Sequence, residues 1–132
     1  MRQNAAILAL ALMPMTVHAK CGELTYLLEG QIEDRSGRPA AGALVGASWM
    51  EGGQPAGPAI AVADRAGRYR LSVQFRPNDD MPLQGEACAD RLDRVGVVAY
   101  LGRQRSTPIQ VSISGIRQQL PKLRIDGASV SP

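Results

Sequence analysis

"DRAGRYRLSV", residues 64–73, decides the fold, because it holds a turn and a strand in one short run. Asp64 opens it with a carboxylate that can accept backbone N–H bonds inside the turn, and Gly67 supplies the positive φ that a tight reversal needs. From Tyr69 onward the alternation is strict. Tyr69, Leu71, Val73 and Phe75 take one face; Arg70, Ser72 and Gln74 take the other. Period two with one polar face is the signature of a half-buried strand. The first half of the stretch recurs as "DRSGR" at 34–38, with Asp34 and Gly37 in the same places. The repeated element reads as a way to turn the chain, with Asp and Gly as its turn-formers, rather than as a chemical site.

The same grammar extends outward. "LTYLLEGQIE" (24–33) alternates with Leu24, Tyr26, Leu28, Gly30 and Ile32 on one side. "ALVGASWM" (43–50) is a second strand. "EGGQPAGP" (51–58) is rich in Gly and Pro and reads as a loop, and "AIAVA" (59–63) as a short strand after it. A long connection at 76–94 has room for a turn or two of helix. "VGVVAYL" (95–101) reads as a strand buried on both faces. "PIQVSIS" (108–114) and "KLRID" (122–126) complete the set. Seven short strands separated by turn signals predict an all-β sandwich over 20–128, with a flexible tail at 129–132.

The first 19 residues stand apart. Arg2, the apolar run "AAILALALM" (5–13), Pro14 and the small residues before Lys20 have the layout of a cleaved secretory signal, cut after Ala19. The expected location is periplasmic or secreted. Lys20 precedes Cys21 where a lipid-attachment signal needs a small residue, and no later run is long enough to span a membrane as a helix. Cleavage removes one arginine and no acid, which takes the formal charge from +3 to +2. That is too little to argue nucleic-acid binding. Two cysteines, Cys21 and Cys88, remain in an exported domain and are expected to form one disulfide, stabilising the fold by about 4 kcal/mol in the chain-entropy model.

The only histidine, His18, lies in the signal segment. The remainder has no imidazole, the usual general base and the commonest metal ligand. No enzyme activity and no cofactor are expected. "NDD" (78–80) lacks the ligand spacing of a calcium loop.

The run "GQIEDRSGRPAAGALV" (30–45) followed by "AVADRAGRYRLSV" (61–73) resembles the transthyretin-like sandwiches known as carboxypeptidase regulatory-like domains. Gly30, Ile32, Asp34, Gly37, Pro39, Gly42, Ala43 and Val45 match the first part of that pattern. Asp64, Gly67, Tyr69 and Leu71 match the second, and Ala63 stands where Thr is usual. The resemblance implies a seven-stranded Greek-key β-sandwich and is nearly silent on function. In that reading Gly42 marks a bulge or a close strand approach. Two catalytic groups share related folds. Hydroxyisourate hydrolases need histidines and end in Tyr-Arg-Gly-Ser, whereas this chain ends in "SVSP". Intradiol dioxygenases hold iron with two Tyr and two His, which this chain does not supply.

If successive strands run antiparallel, the turns at 34–38, 64–68 and 102–107 share one end. That end then gathers Arg35, Arg38, Arg65, Arg68, Arg103 and Arg105. Such a cluster would suit an anionic partner, whether an acidic protein face or an anionic glycan. Cys21 and Cys88 fall at the opposite end, as a disulfide requires. Trp49, beside the Gly/Pro-rich stretch, is a candidate carbohydrate contact, or else a plug for the open end. The expected function is a non-enzymatic interaction module that binds a protein or a cell-envelope component, for example as an immunity or inhibitor protein. The alternative is a carbohydrate- or lipopolysaccharide-binding accessory domain.

Overall fold

A computed structural model of the chain describes residues 22–77 and 90–129. Cys21 and Cys88, the signal segment, the "NDD" run and the end of the tail lie outside the described residues, and so does most of the connection in which a turn of helix is expected. Among the described residues the structure is all-β. It comprises β1 (Leu24–Glu33), β2 (Leu44–Glu51), β3 (Gln54–Val62), β4 (Arg68–Phe75), β5 (Arg94–Leu101), β6 (Gln104–Ser106), β7 (Ile109–Ser112), β8 (Arg117–Gln119) and β9 (Leu123–Ser129).

Hydrogen-bonded neighbours run β3-β2-β5-β6-β9-β1-β4, with β7 also on β5 and β8 also on β1. β1 pairs antiparallel with β4, from Leu24↔Phe75 to Gln31↔Arg68. β2 pairs antiparallel with both β3 and β5. The two layers meet along β6 and β9, where Arg105 faces Ala128 and Ser106 faces Ile125. Among the described residues they stay unjoined along the other side, between β3 and β4, so the sheet is nearly closed.

Two strands went unseen in the sequence, and prolines explain why. β6 and β7 both run back along β5, against Tyr100–Leu101 and Arg94–Val97 respectively. Pro108 lies between them and has no N–H to give the ladder. β8 and β9 both run parallel to β1, beside Leu27–Glu29 and then Ile32–Glu33, with Pro121 between them. Each pair is one long strand cut in two.

The stretch at 51–58, expected as a loop, is instead a two-residue hairpin and half a strand. Gly52 and Gly53 both have positive φ (57° and 77°), and Glu51 faces Gln54 across them. Two successive positive-φ residues are what a tight hairpin of the favoured twist requires. Pro55 and Pro58 are tolerated in β3 because it ends the path and has one free side. β5, expected to be buried on both faces, is buried on one and half-buried on the other. Gly42 has φ +79°, and a Cβ at that position would meet nothing within 4 Å, so the residue serves a turn and not a bulge or a close approach.

The core lies between the layers. Tyr26, Leu28 and Ile32 of β1 meet Leu71, Val73 and Phe75 of β4, and Val45, Ala47, Val95, Val97 and Ala99 close from the other side. Tyr26 and Phe75 pack edge to face at 6.4 Å, a favoured aromatic geometry. Gly30 faces Tyr69 across the β1–β4 ladder, and a Cβ there would collide with the Tyr69 ring and hydroxyl. The tyrosine thus covers the strand where glycine leaves it bare.

Candidate functional site

The twin turns are built alike. In the first, Asp34 Oδ1 accepts the N–H of Ser36 (2.9 Å) and of Arg38 (3.0 Å), and the Ser36 hydroxyl donates to it at 2.6 Å. In the second, Asp64 Oδ1 accepts the N–H of Ala66 and of Arg68, both at 2.9 Å. Gly37 and Gly67, with φ of +86° and +72°, each donate N–H to the carbonyl of their own Asp. The bond from the Ser36 hydroxyl, and next that from Arg38 N–H, hold the Asp34 carboxyl below its ordinary 3.8. Both carboxylates are spent on local geometry, which is how a short acidic side chain stabilises a turn.

Register brings the turns together. Ile32 N–H donates to Gly67 O at 2.7 Å, which sets the second turn beside the first. Leu44 faces Tyr100, so the end of β5 and the turn after it rise at that same end. The upper part of β9 lies between, with Gly127 beside the Arg35 guanidinium. Arg35, Arg38, Arg65, Arg68 and Arg103 are exposed there. Arg105, expected in a turn, lies in β6 and is half-buried. Arg124 also belongs to this end, its guanidinium beside Gly37. It escaped the sequence reading because nothing in "KLRID" shows that its strand runs parallel to β1 and past its end. Among the described residues Glu29 pairs with Arg70 and Arg117, and Glu33 with Lys122; no turn arginine joins these pairs.

Trp49 is only 9% exposed and belongs to the core. Its remaining exposed edge lines a shallow surface pocket with Glu23, Glu51, Pro58, Gln74 and Arg76. Its indole N–H and the Tyr69 hydroxyl are buried side-chain groups without a hydrogen-bond partner.

Two further surfaces stand out. On the outer face of β2, β3 and β5, Leu44, Ile60 and Val62 are 48%, 66% and 61% exposed. Along the unjoined side a cleft of about 830 Å³ opens between Ile60–Val62 of β3 and Arg68–Arg70 of β4, floored by Glu29 and Gly30 of β1.

No family model matches the chain, and no curated protein matches it. Solved structures do. Chlorocatechol 1,2-dioxygenase from Pseudomonas putida is 12% identical, with a TM-score of 0.51 over 78% of this chain and 60% of that one. A 9R-lipoxygenase from Cyanothece PCC8801 is 12% identical at 0.45, over 78% of this chain and 17% of that one. Catechol 1,2-dioxygenase from Pseudomonas arvilla C-1 is 22% identical at 0.43, over 70% and 36%. The chain therefore spans less than two thirds of each. At this identity the first of these likenesses concerns the fold alone.

The residues present do not fit an iron site of the kind that two Tyr and two His would make. The Tyr26 hydroxyl accepts Leu92 N–H at 3.2 Å, the Tyr69 hydroxyl lies against Gly30, and Tyr100 is on the outer side of the other layer. Among the described residues no three His, Cys, Asp or Glu side chains gather as a metal would need. What the described surface offers is charge at one end and a cleft at one side.

Proposed function

We propose that this chain is an exported, non-enzymatic interaction module that binds a protein or a cell-envelope component through its arginine-bearing end. The single observation that carries the reading is the convergence of three arginine-bearing turns, two of which consume their own aspartate locally, with no turn arginine in the ion pairs among the described residues. A guanidinium presents a fixed fork of donors to carboxylate or phosphate oxygens, so several at one end make a receptive surface for an anion. An immunity or inhibitor protein is one concrete form of this reading. The finer architecture proposed with it is a transthyretin-like Greek-key sandwich, braced by a Cys21–Cys88 disulfide after removal of residues 1–19.

The test is crosslinked capture from the native envelope with the wild-type chain and with a variant carrying Arg65→Ser, Arg68→Ser, Arg103→Ser and Arg105→Ser. The reading expects a stoichiometric partner that the variant no longer retains, at a Tm within a few degrees of wild type. Unchanged capture by the variant, or turnover of a substrate by the purified chain, would overturn it. Retention on immobilised lipopolysaccharide, abolished by salt, would favour the envelope-glycan form. That form rests chiefly on the arginines, since Trp49 is mostly covered.

A further inference from the structure

The outer face of β2, β3 and β5 is apolar where a solvated sheet face is ordinarily polar. The pairings lay its side chains out in rows. Leu44 of β2 faces Val62 of β3 on one side and Tyr100 of β5 on the other, and Tyr100 faces Arg105 of β6. The next row is Ile60, Gly46 and Val98. Side chains directly opposite across a ladder lie about 5 Å apart at Cβ, so each row is in contact along its length. Glycine in the middle of the second row leaves the sheet bare. A hollow of about 320 Å³ opens there, walled by Leu44, Pro58, Ile60, Val98 and Tyr100. Neither backbone nor crowding requires glycine at 46: its φ is not positive, and a Cβ would meet nothing within 4 Å. What the glycine does is keep the hollow open.

The charges around this hollow have one sign. Among the described residues, the outward positions of β2, β3, β5, β6 and β7 carry Arg94 and Arg105 and no carboxylate. Arg65 and Arg103 are exposed in the turns that follow β3 and β5. Asp64, which also follows β3, is committed to its own turn. A second copy laid on this face would bring arginines to arginines with no acid to answer them, which disfavours self-pairing. An apolar centre with a cationic border calls for the converse, an apolar side chain set among carboxylates. The walls of the hollow belong to paired strands, so it selects a side chain of definite shape, which a fluid lipid surface does not offer.

We propose that the outer face of β2, β3 and β5 docks an acidic protein partner, one of whose large apolar side chains enters the hollow over Gly46 while flanking carboxylates meet Arg103 and Arg105. This rests on the reading of the chain as a protein-binding module and extends its surface from the arginine-bearing end onto the adjoining sheet face. Leu44, Val62 and Tyr100 make the join, since they stand where their strands reach that end. A buried apolar anchor surrounded by a polar rim is where protein interfaces concentrate their affinity. The arginines set which partners approach and how fast.

The experiment is NMR titration of the full chain with two capped seven-residue peptides, each with aspartates flanking a central phenylalanine or a central alanine. The same titration is run on Gly46→Val, whose side chain fills the hollow. That variant should melt no lower than wild type, because valine suits a strand and has room at this position. Ile60→Ser, at an exposed position, removes one wall instead. The proposal expects the phenylalanine peptide to shift the amides of Leu44, Gly46, Ile60, Val98 and Tyr100 and to bind at least 10-fold more tightly than the alanine peptide. Both variants should erase that advantage. Equal affinity for the two peptides, with shifts confined to the arginine-bearing turns, overturns the proposal and leaves the module reading standing. No shift with either peptide overturns both. A phenylalanine advantage that survives Gly46→Val and Ile60→Ser places the anchor elsewhere and overturns the proposal. Phosphatidylglycerol vesicles that shift the same five amides in wild type but not in Gly46→Val give the face to a lipid surface, and self-association lost in Gly46→Val gives it to a second copy; either result overturns the proposal.

Discussion

Gly37 and Gly67 occupy the same place in twin turns, yet replacing each with alanine should cost very different amounts. Both have positive φ, where an L-residue loses about 1–2 kcal/mol. At Gly37 that is nearly the whole cost, because a Cβ would meet only the tip of the exposed Arg124 side chain, at 3.7 Å. At Gly67 the Cβ would lie 2.5 Å from Ile32 O and 3.2 Å from Ala40 N and Pro39 Cα. These are backbone atoms, and two hydrogen bonds hold them: Ile32 N–H to Gly67 O, and Ala40 N–H to Ile32 O at 2.9 Å. Relief requires moving the first turn away from β1, an overpacking penalty of about 1–3 kcal/mol beyond the φ cost. The total for Gly67→Ala is then about 2–5 kcal/mol. Urea unfolding followed by fluorescence of the single tryptophan, Trp49, measures both variants. With an m value of about 1–3 kcal/mol per molar, the two midpoints should differ by roughly 1 M. Equal midpoints would refute the claim that the second turn is wedged under the first.

Three other perturbations test the framework. Ser106 is buried and its Oγ accepts Ala99 N–H at 2.9 Å, so Ser106→Ala should cost about 1–3 kcal/mol in urea by stranding that donor. Asp34 has its folded-state pKa depressed, so its stabilising contribution is present above the unfolded value of 3.8 and lost as pH falls through the folded one. Thermal unfolding between pH 6 and 2 should show this acid limb in wild type and a shallower one in Asp34→Asn. Burial pushes the Tyr69 hydroxyl up to about 12, so its contribution is intact below about 10 and lost as pH rises through 12. Absorbance titration should find one late tyrosine that Tyr69→Phe removes; a wild-type curve without it would refute the burial.

The parts of the fold that show in the sequence are those fixed by local chemistry. The period-two runs at 24–33 and 69–75 form β1 and β4 with the expected residues inward, because alternation is a property of the strand itself. The twin turns are equally plain, since Asp and Gly make their bonds within five residues. What stays hidden depends on partners far along the chain. Pro55 and Pro58 look like a loop because only the sheet order shows that β3 has a free side. β6 and β8 are three residues each, too short for a period to register. The arginine end follows from strand parity, but Arg124 joins it only once β9 is seen parallel to β1. The cleft beside β3 and β4 is not legible at all, because it is defined by two strands that do not pair.

The most direct test of the binding account is a residue-by-residue NMR titration of the full chain with a pure anionic probe, a short polyglutamate peptide, at low salt. The account predicts amide shifts that appear together at 34–38, 64–68 and 102–103, and that fade as salt is raised to several times the physiological level, where screening is near complete. Shifts confined to the opposite end of the sandwich, or none at all, would contradict it.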